Sequence, residues 1–399
     1  MPATDTYHKN INVLGTILLL LFLMPLWLFI IWNFFPKKKM VIAVVDKTVL
    51  TKQGQEHVSL DWVLLQEKYS KTKKDLYNHS QDYFGFFPEE NKNFELKGLE
   101  RFSTQQLDRL SDDADLAYFT DTYGIYRNEW YAKGDEKERS GIIYGGMSEQ
   151  DIEFLGMMKN KHKLILSEFN CLGSPTPKLV SSKFQELFGI GWTGWIGRYF
   201  DSFDTTINKE LPKWVVRNYK AQNQGKWPFT KGGIVFVHSD DRIVILEKDN
   251  DLVEEFPEIQ ANEEGQKKYK LPESFYYTFW FDIIESNNNI NHTIANFVIN
   301  TNNHGTQLLA KNGIPASFPA ISLHKNADYK FFYFSADFSD NPIQLNTAYL
   351  KFVPYFRKFM YNRRDPMDRK ATFWEIYQPI VTTILNEYHQ DINQSHLGK

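Results

Sequence analysis

From Ile11 to Phe35 the chain reads INVLGTILLLLFLMPLWLFIIWNFF, without one charged residue. A helix over this run, rising 1.5 Å per residue, exceeds the ~30 Å hydrocarbon thickness of a bilayer. Trp27, Trp32, Phe34 and Phe35 gather at its far end, where rings favour the membrane interface, and Pro36 with Lys37, Lys38 and Lys39 closes it. The pattern predicts a tail over 1–10 and one transmembrane helix over 11–35. Buried core helices are rarely so long. A cleaved signal peptide would need a shorter apolar run and a small-residue cleavage site where Trp-Asn-Phe-Phe-Pro stands. Lys9 and the terminal amine oppose Asp5 before the span; Lys37, Lys38, Lys39 and Lys47 oppose Asp46 after it. That bias favours a cytoplasmic body, with an exported body as the alternative.

Beyond the lysines the pattern alternates. MVIAVVDKTVL (40–50) is β-branched and apolar, as a buried parallel strand is, and ends at Asp46-Lys47. Val58, Trp62, Leu65 and Tyr69 recur at helical spacing and predict a helix over 58–69. A short strand near Phe94–Leu96 and a helix over 103–110 follow, then the strand DLAYFT (115–120), which stops at Asp121-Thr122-Tyr123-Gly124. Ser148 with Asp151 three residues on resembles a capping box and opens a helix to about Lys159. KLILS (163–167) is the next strand, and Thr176-Pro177 reads as the start of a helix reaching Phe188. This alternation predicts an α/β body with a mostly parallel sheet and flanking helices.

After residue 190 the pattern loosens. GWTGWIGRYFDSFD (191–204) reads as an ordered aromatic loop, 212–222 as a helix, and Ile234–Val237 with Arg242–Leu246 as a hairpin. Strands are expected at 276–284, 293–300 and 329–335, an exposed insertion at 248–270, and helices at 347–361 and 370–388. The body is therefore drawn over 36–345, with a C-terminal helical segment over 346–399.

The net charge of −3 supplies no basic field for nucleic acid. Cys171 is the only cysteine, so an internal disulfide and a cysteine zinc site are both excluded. His304 and His324 have no partner at metal-ligand spacing, and neither metal nor cofactor is expected. The aromatic share of 16% exceeds what a core alone demands, leaving rings for a lined cleft.

In a parallel sheet the loops after the strands share one rim, where ligands of open sheets bind. Asp46, Asp121, Tyr123, Glu168 and Asn170 follow predicted strands and converge there. Trp195, Arg198, Tyr199 and Asp201 of the aromatic loop are placed to cover the rim, and His238 and Asp337 end later strands that can join it. Paired carboxylates beside an arginine and aromatic walls suit carbohydrate binding or acid–base attack on it. Each residue has a plainer role: turn capping for Asp46, Asp121 and Asp337, a Glu168–Arg198 bridge, a hairpin turn for His238, core packing for the rings.

DLAYFTDTYG (115–124), EFLGMMKNKHKLILSEFN (153–170) and FFYFSADFSDNP (331–342) together resemble the class I glutamine amidotransferase-like fold, in the broad sense that includes trehalose-utilisation-like domains. The chain also looks like a group of bacterial membrane-anchored proteins of unassigned function that carry such a body, over roughly 40–345. The resemblance implies a flavodoxin-like sheet. An active amidotransferase has a cysteine in a Gly-x-Cys-x-Gly elbow and a downstream His-x-Glu pair. Phe169 stands where the first glycine belongs before Cys171, and no His-x-Glu occurs in the chain. Lacking that base, the thiol stays protonated, and glutamine hydrolysis is not expected. The leading expectation is a non-catalytic accessory protein at a membrane surface that binds a glycan or a protein. A hydrolase acting on cell-surface carbohydrate through the rim carboxylates is the alternative. A third reading is a structural member of a membrane complex, docked through the C-terminal helices.

Overall fold

The strand Ile42–Asp46 is apolar along its whole length because both of its faces are covered. It lies in a ten-stranded sheet of order Ser274–Tyr276, Glu258–Ala261, Asn291–Val298, Ser317–His324, Lys330–Phe334, Leu164–Ser167, Leu116–Asp121, Ile42–Asp46, Phe84–Pro88, Phe94–Leu96. The computed structural model describes residues 3–53, 56–131 and 140–397, with side chains from 13 to 394. The five strands from Lys330–Phe334 to Phe84–Pro88 run parallel. The outer pairings are antiparallel, so the sheet is mixed rather than mostly parallel.

Helices form where caps and spacing predict them. Val58–Glu67 is buried along nearly its whole length. Thr104–Asp113 and Glu149–Asn160 both open on capping boxes, the second made by Ser148 and Asp151. The helix at 178 differs from expectation: Pro177 is its N-cap, and the Thr176 hydroxyl accepts from the Met147 N–H instead.

The glycine-rich stretch after 190 is a strand, Ile190–Phe200, within a second, antiparallel sheet. Its neighbours are Gly233–His238, which pairs on with Ile243–Glu247 as the predicted hairpin, and Phe281–Ser286. Glycine here makes room for rings: a Cβ on Gly197 would lie 2.4 Å from the Phe281 ring and 3.2 Å from Phe236. Gly197→Ala is expected to destabilise the fold by about 1–3 kcal/mol through overpacking, measured as a lower urea midpoint at unchanged slope.

Two further expectations are corrected. Within 248–270, Glu258–Ala261 is a strand of the large sheet, and Leu252, Ile259 and Tyr269 are buried, so the segment is not an exposed insertion. Residues 347–361 form two 3₁₀ turns, Leu345–Tyr349 and Val353–Phe359, separated by Phe352 in a left-handed conformation (φ 70°). The final segment, Arg369 to Leu397, is continuous, with a π turn at Phe373–Tyr377 just before Pro379, which lacks the N–H a regular turn needs. Its first turns pack into the core: Phe373 and Trp374 close edge-on against Trp62 at 5.1 and 5.2 Å.

At the N-terminus, Ala3–Phe22 and Met24–Phe34 are separate helices, bent by 56° at a break beside Pro25. Among the described residues no single helix is long and apolar enough to cross a membrane; the bent pair passes together, by length and composition. The second helix is fastened to the body. The Trp32 indole donates to the Leu65 carbonyl at 2.9 Å, and the Lys68 ammonium donates to the carbonyls of Trp32 and Asn33, both at 3.0 Å.

Candidate functional site

Asp46 and Asp121 end adjacent parallel strands and are register partners. Each caps the turn that follows it. Asp46 Oδ1 accepts from the Thr48 N–H at 2.9 Å, and Asp121 Oδ1 from the Tyr123 N–H at 2.5 Å. Capping uses only part of either carboxylate. Asp46 Oδ2 meets His57 Nδ1 at 2.6 Å; Asp121 accepts from the Thr48 hydroxyl at 2.7 Å and from the Asn170 amide at 3.2 Å.

His57 immediately precedes the helix Val58–Glu67, and its Nε2 faces the His79 carbonyl at 2.5 Å. With acceptors at both nitrogens the ring is an imidazolium. Burial alone would lower its pKa, but the bond to Asp46 and that carboxylate's charge raise it to about 9. Beside it, burial raises Asp61 to about 7 against the pull of His57.

More carboxyls crowd the same rim. Burial, then the charge of Asp337, pushes Asp121 up to about 8. Glu56 is raised well above its ordinary value by burial and by Asp337, Asp121 and Asp46, and its Oε2 is buried without a hydrogen-bond partner. Asp337 is raised by burial while Arg369 and a hydrogen bond from Glu56 pull it down. Glu168, at the tip of the strand Leu164–Ser167, is held by the Tyr118 hydroxyl and by the Ser339 N–H at 3.2 Å; burial still raises it to about 8. Asp282, from the second sheet, accepts from the Tyr333 hydroxyl at 3.2 Å and from the Asn170 N–H at 3.3 Å.

Arg369 adds a second cation beside His57, ion-paired with Asp340 and lying 4.5 Å over the Phe279 ring. Oxygens of Glu56, Asp337 and Asp340 lie within 4.8 Å of one another, the donor type a hard divalent cation takes. Thr48, Tyr123, Asn170, Asp337 and Arg369 are the partly exposed members and form the mouth. A cavity of about 220 Å³ opens alongside, its wall including His79 and Tyr83, the latter packed on His57 at 4.6 Å.

The structure thus brings together Asp46, Asp121, Tyr123, Glu168, Asn170 and Asp337. Arg198 lies at the margin: its charge reaches Asp337, but it pairs with Glu210 at 2.6 Å, so no Glu168–Arg198 bridge forms. The other expected rim residues are elsewhere. Trp195 and Tyr199 lie on the opposite face of the strand from Arg198, because side chains alternate, and are buried in the core. The Tyr199 hydroxyl donates to Glu255 at 2.6 Å. Asp201 is exposed and accepts from Asn208 at 3.1 Å. His238 ends the strand Gly233–His238, as expected, but its ring lies 2.7 Å from Asp240 of the hairpin turn. Cys171 is buried, its thiol pushed up by burial and by Asp121 and lying 3.8 Å from the Phe119 carbonyl.

Glu56, His57, Asp340 and Arg369 were absent from the sequence expectation. A signal existed for the first two. The loop between a strand and its crossover helix returns at the same rim, so the residues opening the helix at 58 belong there as much as those ending the strand at 46. Arg369 lies more than thirty residues past Phe334, the last residue of the strand beside it, and nothing local marks it.

The helix Val58–Glu67 also fixes where the rim faces. His57 at its start touches Asp46, whereas Leu65 and Lys68 at its end hold Trp32. Ten residues span about 15 Å, so the carboxylates lie at the end of the body away from the N-terminal helices.

No family model and no curated protein matches this chain. Among solved structures, a ThuA-like protein from Bacteroides uniformis aligns at 9% identity over 79% of this chain and 89% of its own, with a TM-score of 0.30. Agd3, described as a novel carbohydrate deacetylase, aligns at 8% identity over 75% of this chain and 29% of its own, with a TM-score of 0.25. What is shown is a mixed α/β chain with several sheets, one of them with a parallel centre.

Proposed function

We propose that the chain is a membrane-anchored hydrolase whose rim carboxylates act on a hydroxyl-rich substrate of carbohydrate type. The observation that carries the reading is the concentration of Asp46, Glu56, Asp121, Asp337 and Asp340 at one set of strand ends, with His57 and Arg369 as the countercharges. Burying an ionisable group costs several kcal/mol, and a fold needing only stability would place apolar residues there. Carboxyls held above their ordinary range by burial and by one another, as Glu56, Asp121 and Asp337 are here, recur at acid–base sites. Asp121, protonated at neutral pH, serves as the proton donor. Asp46, fixed by His57, orients the attacking water and takes its proton as Asp121 delivers its own to the leaving oxygen. Carboxylates accept hydrogen bonds from sugar hydroxyls and repel anions, which favours neutral glycans over phosphorylated ligands.

The anchor is part of the same proposal. Val13, Leu14, Leu18, Leu19, Leu20 and Leu21 are each more than half exposed, and Phe22 is 82% exposed. Lipid is the medium that makes such a surface favourable. The charge bias around the helices favours a body on the cytoplasmic side, with export as the alternative.

One observation favours the accessory reading instead: Glu168 is engaged by Tyr118 and Ser339 and is not offered to a ligand. Incubating the full chain in nanodiscs with a panel of neutral glycans, followed by mass spectrometry, separates the two. A hydrolase yields cleaved products that Asp46→Asn loses. Binding of a glycan by both proteins without cleavage would leave the accessory role.

A further inference from the structure

The 3₁₀ segment Val353–Phe359 carries two of the most exposed large rings of the molecule, Tyr355 at 84% and Phe359 at 86%, with Phe352 beside them. Exposed aromatics of this size are costly in water unless something covers them. Their position says what. The Lys351 N–H donates to the Leu28 carbonyl at 3.2 Å, Phe352 closes edge-on against Phe35 at 6.2 Å, and Tyr349 packs on Trp32 at 4.9 Å. The segment is therefore level with the end of the second N-terminal helix, where Phe34 is 84% exposed and Lys37 and Lys39 are also exposed.

Charge marks the same place. Lys351–Arg364 holds five basic residues and no acidic one, in a chain whose net charge is −3; Lys351 pairs with Glu67 and Arg357 with Glu375, and Lys358, Arg363 and Arg364 are exposed. Rings beside lysines and arginines at one depth are what a bilayer's headgroup layer takes up: the rings sit among glycerol and carbonyl groups, and the cations meet anionic lipid.

We propose that Phe352–Phe359 is a second membrane contact, lying in the interface of an anionic bilayer. It would hold the body at a fixed tilt with the carboxylate rim turned away from the lipid. The inference rests on the anchor reading, and the test keeps the two apart.

The full chain is reconstituted in phosphatidylcholine vesicles containing one-fifth phosphatidylglycerol, and single spin labels are placed by Tyr355→Cys, Leu18→Cys and Ile207→Cys. Cys171 is buried and does not compete for label. Collision rates with oxygen and with a water-soluble nickel chelate are then read by power saturation. Ile207, 71% exposed, is the aqueous reference. The expected result at 355 is a several-fold lower nickel rate than at 207 with the oxygen rate retained, lying between 207 and 18, and shifting towards water in pure phosphatidylcholine. A label at 355 that matches 207 while 18 is in lipid overturns this contact and leaves the anchor standing. An aqueous label at 18 overturns both. Protection at 355 from both reagents means that protein, not lipid, covers the segment, and also overturns the proposal.

Discussion

Raising the pH from about 5 to about 9 will lower the melting temperature of the full chain in detergent. His57 keeps its proton up to about 9 against an ordinary 6.5, Asp121 and Glu168 up to about 8, and Asp61 and Asp282 up to about 7. Burial is the leading cause for the four carboxyls. For His57 burial acts the other way and is outweighed only by the hydrogen bond and charge of Asp46 together with the charge of Asp61 and the His79 carbonyl. In all five the folded state holds the proton more tightly than the unfolded chain, so stability falls as pH rises. The carboxyl contributions are complete below the ordinary carboxyl values and are lost as pH passes 7 to 8. That of His57 is complete below 6.5 and is lost through about 9. A tenfold gain in proton affinity on folding corresponds to about 1.4 kcal/mol, and because neighbouring groups titrate together the total is less than a simple sum. A loss of several kcal/mol, enough to move the melting point by many degrees, is expected. A melting temperature that is flat or rises over this range contradicts the buried cluster.

How much of that cluster was legible depends on how local its causes are. Asp46 and Asp121 were readable because a β-branched run that stops at Asp is a strand followed by a capped turn, and parallel neighbours must end on the same side. The capping box at Ser148 was readable for the same reason: two residues three apart contain the whole interaction. The stretch 191–204 misled because three glycines argue against regular structure by propensity. In the fold Gly197 admits the Phe281 and Phe236 rings, and Gly194 stands at φ 92° beside the strand's register shift. Reading Trp195 and Tyr199 as a strand pair, four residues apart and so on one face, would have assigned them to the core and Arg198 to the other side. Arg369 reaches the rim through a segment whose path is set by Trp62, Phe373 and Trp374 packing together, information no window of sequence contains. The anchor is the converse case. Its composition is plain over 25 residues, yet Pro25 breaks it into two helices.

Asp121→Asn will separate a working cluster from a structural one, because the two roles predict opposite signs. The substitution removes the proton donor and is expected to lower turnover on a hydrolysed glycan by about 10²–10⁴-fold. Its effect on stability runs the other way. Asn keeps an oxygen for the Thr48 hydroxyl and the Tyr123 N–H, and the partly exposed Asn170 amide can turn its oxygen towards the new NH₂. What disappears is a carboxyl that must lose its proton near 8 while facing Asp337 and Asp46. The variant should therefore melt higher than the parent at about pH 9 and nearly level with it at about pH 5, by on the order of 1–3 kcal/mol at the upper end. A carboxylate kept for the fold would give a variant that is less stable at every pH, its capping and amide bonds being the whole of its contribution. Urea unfolding of both proteins at the two pH values, alongside the glycan assay, reads both quantities. Higher stability with lost turnover is the mark of a group kept for chemistry at the cost of the fold, and lower stability at both pH values would remove Asp121 from the proposed mechanism.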